Sequence, residues 1–131
     1  MNDRIEKTET RQCRAIFPNT LNMNGTLFGG LAMQWMDEVA YLAATRFTHQ
    51  KMFTVSVDNV KFLQTVEPHS IVEIIARIED AGSVKLKIKT EIYAERMYEE
   101  KREKVVECTF IFAQLDENKK PQRICYPFVS N

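Results

Sequence analysis

Between Phe17 and Phe47 the chain passes from a loop of turn formers into an apolar run whose polar positions recur every three or four residues. Pro18, Asn19, Asn22, Asn24 and Gly25 read as loop, the pair Gly29-Gly30 follows, and the next stretch of about fifteen residues, free of Pro and Gly, predicts one long helix. Leu31, Ala32, Met33, Trp35, Met36, Val39, Ala40, Leu42, Ala43 and Ala44 make that helix apolar over most of its circumference. A helix resting on a flat surface needs only one apolar stripe, so this one is expected to be wrapped by the rest of the domain. Gln34, Asp37, Glu38, Tyr41 and Thr45 share one narrow polar stripe, with Asp37 at its middle.

Around the helix the period is two. Residues Thr8 to Phe17, with Cys13, Ala15 and Phe17 alternating with Gln12 and Arg14, predict a first strand. Phe53, Val55 and Val57 lie on one parity and Val60 and Phe62 on the other, which points to a strand with a bulge near Asp58-Asn59. After a turn at Pro68, Ser70 to Glu79 buries Val72, Ile74, Ala76 and Ile78, and Asp80 to Ser83 suits a hairpin turn. Val84, Leu86, Ile88, Ile92 and Ala94 alternate with Lys85, Lys87, Lys89, Glu91, Tyr93 and Glu95, a strand with one buried and one wet face. A charged turn from Tyr98 to Arg102 leads to Lys104–Leu115, apolar on both faces and therefore interior to the sheet. Residues 116–121 form a turn, and the tail 123–131 is expected to lie over the surface. One enclosed helix and strands joined by short turns define an α+β fold, a curved antiparallel sheet around a central helix, in a single domain spanning 1–131.

Eighteen basic residues balance eighteen acidic ones, so no whole-molecule attraction to nucleic acid or an anionic membrane is expected. No apolar run reaches the roughly 18 residues that span a bilayer, and the start MNDRIEKTETRQ is too charged for a signal peptide, which together predict a cytoplasmic protein. Cys13, Cys108 and Cys125 are odd in number and lack CxxC spacing, and are read as small core or edge hydrophobes. His49 and His69 have no partner at metal-ligand spacing, so no metal site is expected. Candidate chemistry concentrates on the helix. Gly29 and Gly30 bring no capping side chain, leaving N–H groups at the positive end of the helix dipole, a place suited to a carbonyl oxygen that becomes negative. Each candidate also has a plainer reading: Asp37 as a solvated carboxylate, Asn22 as a turn residue, the glycines as a close backbone approach, the lysine row as a wet face, and Trp35, Met33 and Met36 as core or pocket lining.

The segment Asn22–Gly30 (NMNGTLFGG), Met36-Asp37-Glu38 with Ala40, Thr54–Phe62 (TVSVDNVKF), and the turns Ala81–Val84 and Leu115–Asn118 resemble the hotdog-fold acyl-CoA thioesterases, in particular the bacterial YciA-like enzymes and mammalian cytosolic acyl-CoA hydrolases. The resemblance implies that Asp37 is the catalytic carboxylate, as general base on water or as nucleophile. It implies that Asn22 orients water or thioester from the neighbouring subunit, with Asn24 as the fallback, and that Gly30, with Gly29, holds the thioester oxygen. Coenzyme A is implied along Thr54, Val55 and Ser56 and along Gly82, Ser83 and Val84, its phosphates met by one of Lys61, Lys85 and Arg123. No separate cofactor is implied, since coenzyme A is part of substrate and product. The family implies a homodimer at least, assembled as a trimer of dimers, with each site built across the dimer interface. Two other readings on the same fold are a non-catalytic acyl-CoA sensor or scaffold, which would need an output element, and a dehydratase, which would need a helix-borne histidine.

Overall fold

The computed structural model describes residues 1–128, so the last three residues of the predicted tail lie outside the described residues. In chain order the elements are α1 (Asn2–Lys7), β1 (Thr10–Ala15), a single turn of tight helix (Pro18–Thr20), α2 (Gly29–Thr48), β2 (Phe53–Phe62), β3 (Ser70–Ala81), β4 (Leu86–Arg96), β5 (Arg102–Leu115) and β6 (Pro121–Gln122). The strands form one antiparallel sheet in the order β1-β3-β4-β5-β2, with the short β6 added to β5. This is the hotdog arrangement, with the sheet curved around α2.

The core lies between α2 and the inner face of the sheet. Met36, Val39, Ala40, Ala43 and Phe47 of α2 meet Val72, Ile74 and Ile78 of β3, Leu86, Ile88 and Ile92 of β4, and Phe110 and Phe112 of β5, all buried. The helix runs for 20 residues, with the glycine pair as its first turn rather than its preface, and His49 ends it in the left-handed region at φ 52°. Leu42 and Tyr41 of α2 remain exposed, so the sheet of one chain covers only part of the helix.

The bulge expected near Asp58-Asn59 is present: pairing with β5 slips between Asp58 and Lys61, and Asn59 has φ 55°. A second slip, between Thr54 and Ser56, leaves no trace in the hydrophobic pattern. The hairpin after β3 is displaced from the expected position. Gly82 N–H donates to Lys85 O at 3.0 Å, so Val84 sits in the turn and β4 begins at Leu86. A Cβ on Gly82 would lie 2.8 Å from Lys85 O, which is why a glycine closes this turn.

β1 carries its alternation in the opposite sense to a buried apolar face. Gln12 and Arg14 pair with Ile74 and Val72 and so share the inner face, while Cys13 and Ala15 face outward and Ile16 is the buried residue. Arg14 covers this edge by lying over the Trp35 ring at 4.8 Å and reaching Glu38 at 3.5 Å. Of the three cysteines only Cys108 is buried. On the outer face Lys89 pairs with Glu107 at 2.8 Å and Lys104 with Glu91 at 2.6 Å. The Lys89 ammonium holds the Glu107 carboxyl below its usual range, and the hydrogen bond to Glu91 holds Lys104 above its own.

Two additions close the C-terminal end of α2. Arg46 donates to Lys7 O at 2.8 Å and to Thr10 Oγ1 at 2.9 Å, and Arg4 donates to Arg46 O at 2.7 Å, so α1 is held against the helix end by its carbonyls. The described part of the tail is anchored rather than laid on the surface: Ile124 is buried, and the Tyr126 and Phe128 rings stand edge-on to Phe47 at 5.9 and 5.0 Å.

Candidate active site

The loop before α2 is ordered by Asn22. Its Oδ1 accepts from Asn24 N–H at 2.8 Å, Thr26 N–H at 3.2 Å and the Thr26 hydroxyl at 3.2 Å. The turn reading of this residue therefore holds for its oxygen, while its amide NH2 has no partner among the described residues and is the end free for a ligand. Leu27 N–H donates to Val66 O at 2.8 Å and Phe28 N–H to Thr20 O at 3.0 Å, which fixes the entry into the helix.

Phe28 is the residue preceding the helix and supplies no side-chain cap. Its carbonyl takes the N–H groups of Leu31 and Ala32, both at 3.1 Å, leaving those of Gly29 and Gly30 without an acceptor among the described residues. An aromatic ring lies beside each glycine. A Cβ on Gly29 would meet the Phe62 ring at 3.6 Å, ordinary contact, whereas one on Gly30 would meet the Phe28 ring at 2.8 Å. These distances separate the two glycines experimentally. Gly29→Ala fits and gains about 0.5–1 kcal/mol of helix preference. Gly30→Ala must push the Phe28 ring aside; that ring is half exposed and can move, so Gly30→Ala is expected to remain folded in thermal melts but with a Tm below that of Gly29→Ala, which raises it.

Asp37 lies eight residues further on, about 12 Å along the helix at 1.5 Å per residue. It is half-buried, and its Oδ1 accepts a 2.7 Å hydrogen bond from the Thr54 hydroxyl at the start of β2. Cys108 lies within reach of its charge. Burial pushes that thiol up to about 12, the charges of Asp37 and Glu107 adding to the rise and Lys89 opposing it, so the cysteine is an inert neighbour.

One chain thus brings Asn22 together with Gly29, on the wall of a shared pocket of about 230 Å³, and Asp37 together with Thr54, but does not bring the two pairs within reach of one carbonyl. Thr54, Val55 and Ser56 are exposed along β2. Gly82 and Ser83 line a second cavity of about 560 Å³ with Arg123, Cys125 and Tyr126, and Val84 is exposed beside it. Tyr126 OH donates to Gly82 O at 2.6 Å and Ile124 N–H to Ser83 O at 2.7 Å, so both carbonyls of this turn are already taken by the tail. Arg123 lines that cavity, and Lys61 and Lys85 do not. Glu38 is engaged by Arg14 and by Gln34 at 3.2 Å. Trp35 and Met36 are core, and Met33 packs against it. The rings of Phe28 and Phe62 were not singled out in the sequence. Pairing puts Phe62 on the face of Val106 and Phe53 on the opposite face with Ala113, because the register slips twice along β2, and the slip between Thr54 and Ser56 has no signal in the sequence.

A curved antiparallel sheet around one helix, with N–H groups at the helix start that find no acceptor among the described residues and a tethered carboxylate on its open side, defines a hotdog protein. Residues 24–101 match the thioesterase superfamily, and the chain belongs to that family. It is 31% identical over 108 residues to the acyl-CoA thioester hydrolase YciA of Salmonella typhimurium, covering 80% of this chain and 81% of the relative. Among solved structures it is similar to an acyl-CoA hydrolase of Staphylococcus aureus studied with butyryl coenzyme A and coenzyme A, at TM-score 0.83 and 25% identity, covering 92% of this chain and 73% of that one. It is also similar to a hexameric thioesterase of Yersinia pestis, at TM-score 0.77 and 26% identity, covering 87% and 93%.

Proposed function

We propose that the protein hydrolyses acyl-CoA thioesters to a free carboxylic acid and coenzyme A. The observation that carries this reading is Asp37, a carboxylate on the open side of the central helix, held by the Thr54 hydroxyl at the edge of the sheet in a chain of the thioesterase family. As general base, Asp37 takes a proton from water as the water oxygen bonds to the carbonyl carbon. The carbonyl oxygen becomes negative and is met by Gly30 N–H and the Asn22 amide. The C–S bond then breaks and the proton passes from Asp37 to the thiolate. Direct attack by the carboxylate, through a mixed anhydride that water cleaves, uses the same groups.

The two halves of this site meet in a dimer. Every residue of β2 is exposed although Phe53, Val55, Val57, Val60 and Phe62 are apolar, and the outer edge of β2 is unpaired in one chain. An unpaired apolar edge invites another strand. Antiparallel pairing of β2 with its own copy about a twofold axis near Val57-Asp58 sets Thr54 of one chain opposite the Lys61-Phe62 end of the other. Since Thr54 holds Asp37 and Phe62 covers Gly29, that pairing puts Asp37 of one subunit against Asn22 and the glycines of its partner. Assembly of such dimers in threes agrees with the hexameric relative.

Coenzyme A is placed along Thr54-Val55-Ser56 toward the Gly82-Ser83-Val84 turn. Thr54, Phe112, Leu86 and Ala81 are successive cross-strand neighbours, so the turn lies three strand spacings from Thr54, about 14 Å and within the span of a pantetheine arm. Arg123, on the cavity at that turn, is the cation for the phosphates.

The test is thiol release from a panel running from acetyl- to palmitoyl-CoA. Turnover with any member supports the hydrolase; coenzyme A binding without turnover of any member would replace it with the non-catalytic sensor.

A further inference from the structure

The loop that carries Asn22 is a closed turn built around that one side chain. Asn22 N–H donates to Thr26 O at 2.7 Å and Gly25 N–H to Asn22 O at 3.0 Å, which joins the ends of the turn, and Gly25 makes the left-handed step at φ 73°. Asn22 Oδ1 accepts from Asn24 N–H, from Thr26 N–H and from the Thr26 hydroxyl. Two of these donors are backbone N–H groups, so the atom they meet is the oxygen and the NH2 group points the other way. An amide oxygen has two lone pairs, and the backbone donors at 2.8 and 3.2 Å already engage both. The turn therefore closes without the Thr26 hydroxyl. Thr26 Oγ1 makes no other hydrogen bond among the described residues, so its whole effect falls on Asn22.

We infer that Thr26 is a positioning residue for hydrolysis, its hydroxyl fixing and polarising the Asn22 amide whose NH2 group meets the thioester oxygen. The inference rests on the hydrolase reading and adds to it the residue that prepares one of the oxyanion donors. The hydroxyl acts in two ways. The terminal torsion of asparagine is broad, and a third donor on the oxygen narrows the swing of the amide plane. Each hydrogen bond accepted by the oxygen also draws electron density from the nitrogen and strengthens its N–H groups as donors, by roughly 10–30% per bond. A stronger and better aimed donor counts most when the substrate oxygen is negative, so the effect belongs to the transition state rather than to the bound thioester. Thr26 also lines the pocket that Asn22 and Gly29 share, and a direct contact with substrate is the competing role. The two roles differ in kinetics: a lost substrate contact raises KM, whereas a misplaced oxyanion donor lowers kcat.

Thr26→Val keeps the branched shape and removes the hydroxyl, and Thr26→Ser keeps the hydroxyl and removes the methyl. Thr26→Ala carries the same test should the valine variant melt early. The experiment measures kcat and KM for wild type and variants with the thioester that the wild type cleaves best. Thr26→Val is expected to lose about tenfold in kcat, less than the roughly hundredfold or more that loss of an oxyanion donor costs, with KM within about twofold. Thr26→Ser is expected to stay within about threefold of wild type in both. A valine variant with wild-type kcat overturns the inference, as does a loss that serine fails to restore or a rise in KM with kcat kept. Calorimetry supplies a readout without turnover, using two coenzyme A thioethers. One bears a trifluoromethyl ketone, which hydrates to a tetrahedral diol resembling the intermediate, and the other bears a plain alkyl chain. Thr26→Val is expected to weaken the first by about tenfold and leave the second within about twofold. That pattern with no thioester cleaved by the wild type would sink the hydrolase reading and uphold Thr26, whereas robust hydrolysis with neither kcat nor diol binding changed would do the reverse.

Discussion

Asp37→Asn is expected to lower acyl-CoA turnover by about a thousandfold, within the range that general acid–base groups supply, and to leave the fold intact. The asparagine side chain matches the aspartate in shape, and its Oδ1 still accepts the Thr54 hydroxyl that now donates to Asp37 at 2.7 Å. What it loses is the capacity to take a proton from water or to attack a carbonyl carbon. Stability should move by less than about 0.5 kcal/mol, because the residue is on the open side of the helix and its one hydrogen bond survives. Thiol release and thermal melts on the same preparation separate the two effects. Turnover near the wild-type level would assign the base elsewhere, and no other carboxylate on α2 is as well placed, since Glu38 is held by Arg14 and Gln34.

The parts of this site differ in how far they can be read from the chain alone. Asp37 was marked out by periodicity, since a polar stripe on an otherwise apolar helix shows which side the sheet leaves open. The glycine pair was marked out by what it lacks, a capping side chain, and the structure agrees that nothing bonds its N–H groups among the described residues. The strands β3 and β4 follow their alternation closely and β5 its run of apolar residues on both faces, because each has β-branched or aromatic residues on the face that meets α2. Other features depend on contacts far apart in sequence. α1 has no apolar stripe and exists because Arg46 and Arg4 tie it to the helix end. β1 turns its polar residues inward because Arg14 finds the Trp35 ring, a pairing no local pattern encodes. The Gly82 turn shifted because one carbonyl approaches too closely for any other residue.

β2 is the instructive case. Its hydrophobic alternation predicts burial, yet the whole strand is exposed in one chain, with Phe53 and Phe62 about half open. The proposed pairing of β2 with a second copy covers that edge and satisfies the pattern, so the mismatch between sequence and single-chain structure is what supports that assembly.

That assembly leads to a result no single-chain site can produce. A subunit carrying Asn22→Asp and a subunit carrying Asp37→Asn should each be inactive alone and regain about a quarter of wild-type activity when refolded or co-expressed in equal amounts. In a mixed dimer one site joins the two altered residues and is dead; the other joins the intact Asn22 of one chain to the intact Asp37 of its partner. Half of randomly formed dimers are mixed, and half of their sites are whole. Asn22→Asp is the informative partner because it keeps the Oδ1 that accepts from Asn24 and Thr26 and so keeps the loop, while removing the amide donors. Alanine at the same place would delete three accepted hydrogen bonds and confuse a folding defect with a chemical one. Recovery in the mixture shows that Asn22, in the loop before α2, and Asp37, eight residues into that helix from Gly29, act on the same thioester only through the twofold. A mixture no more active than either variant alone would put Asn22 and Asp37 in a site formed within one chain, or remove Asn22 from the chemistry, and the β2 pairing would have to be abandoned as the device that completes the site.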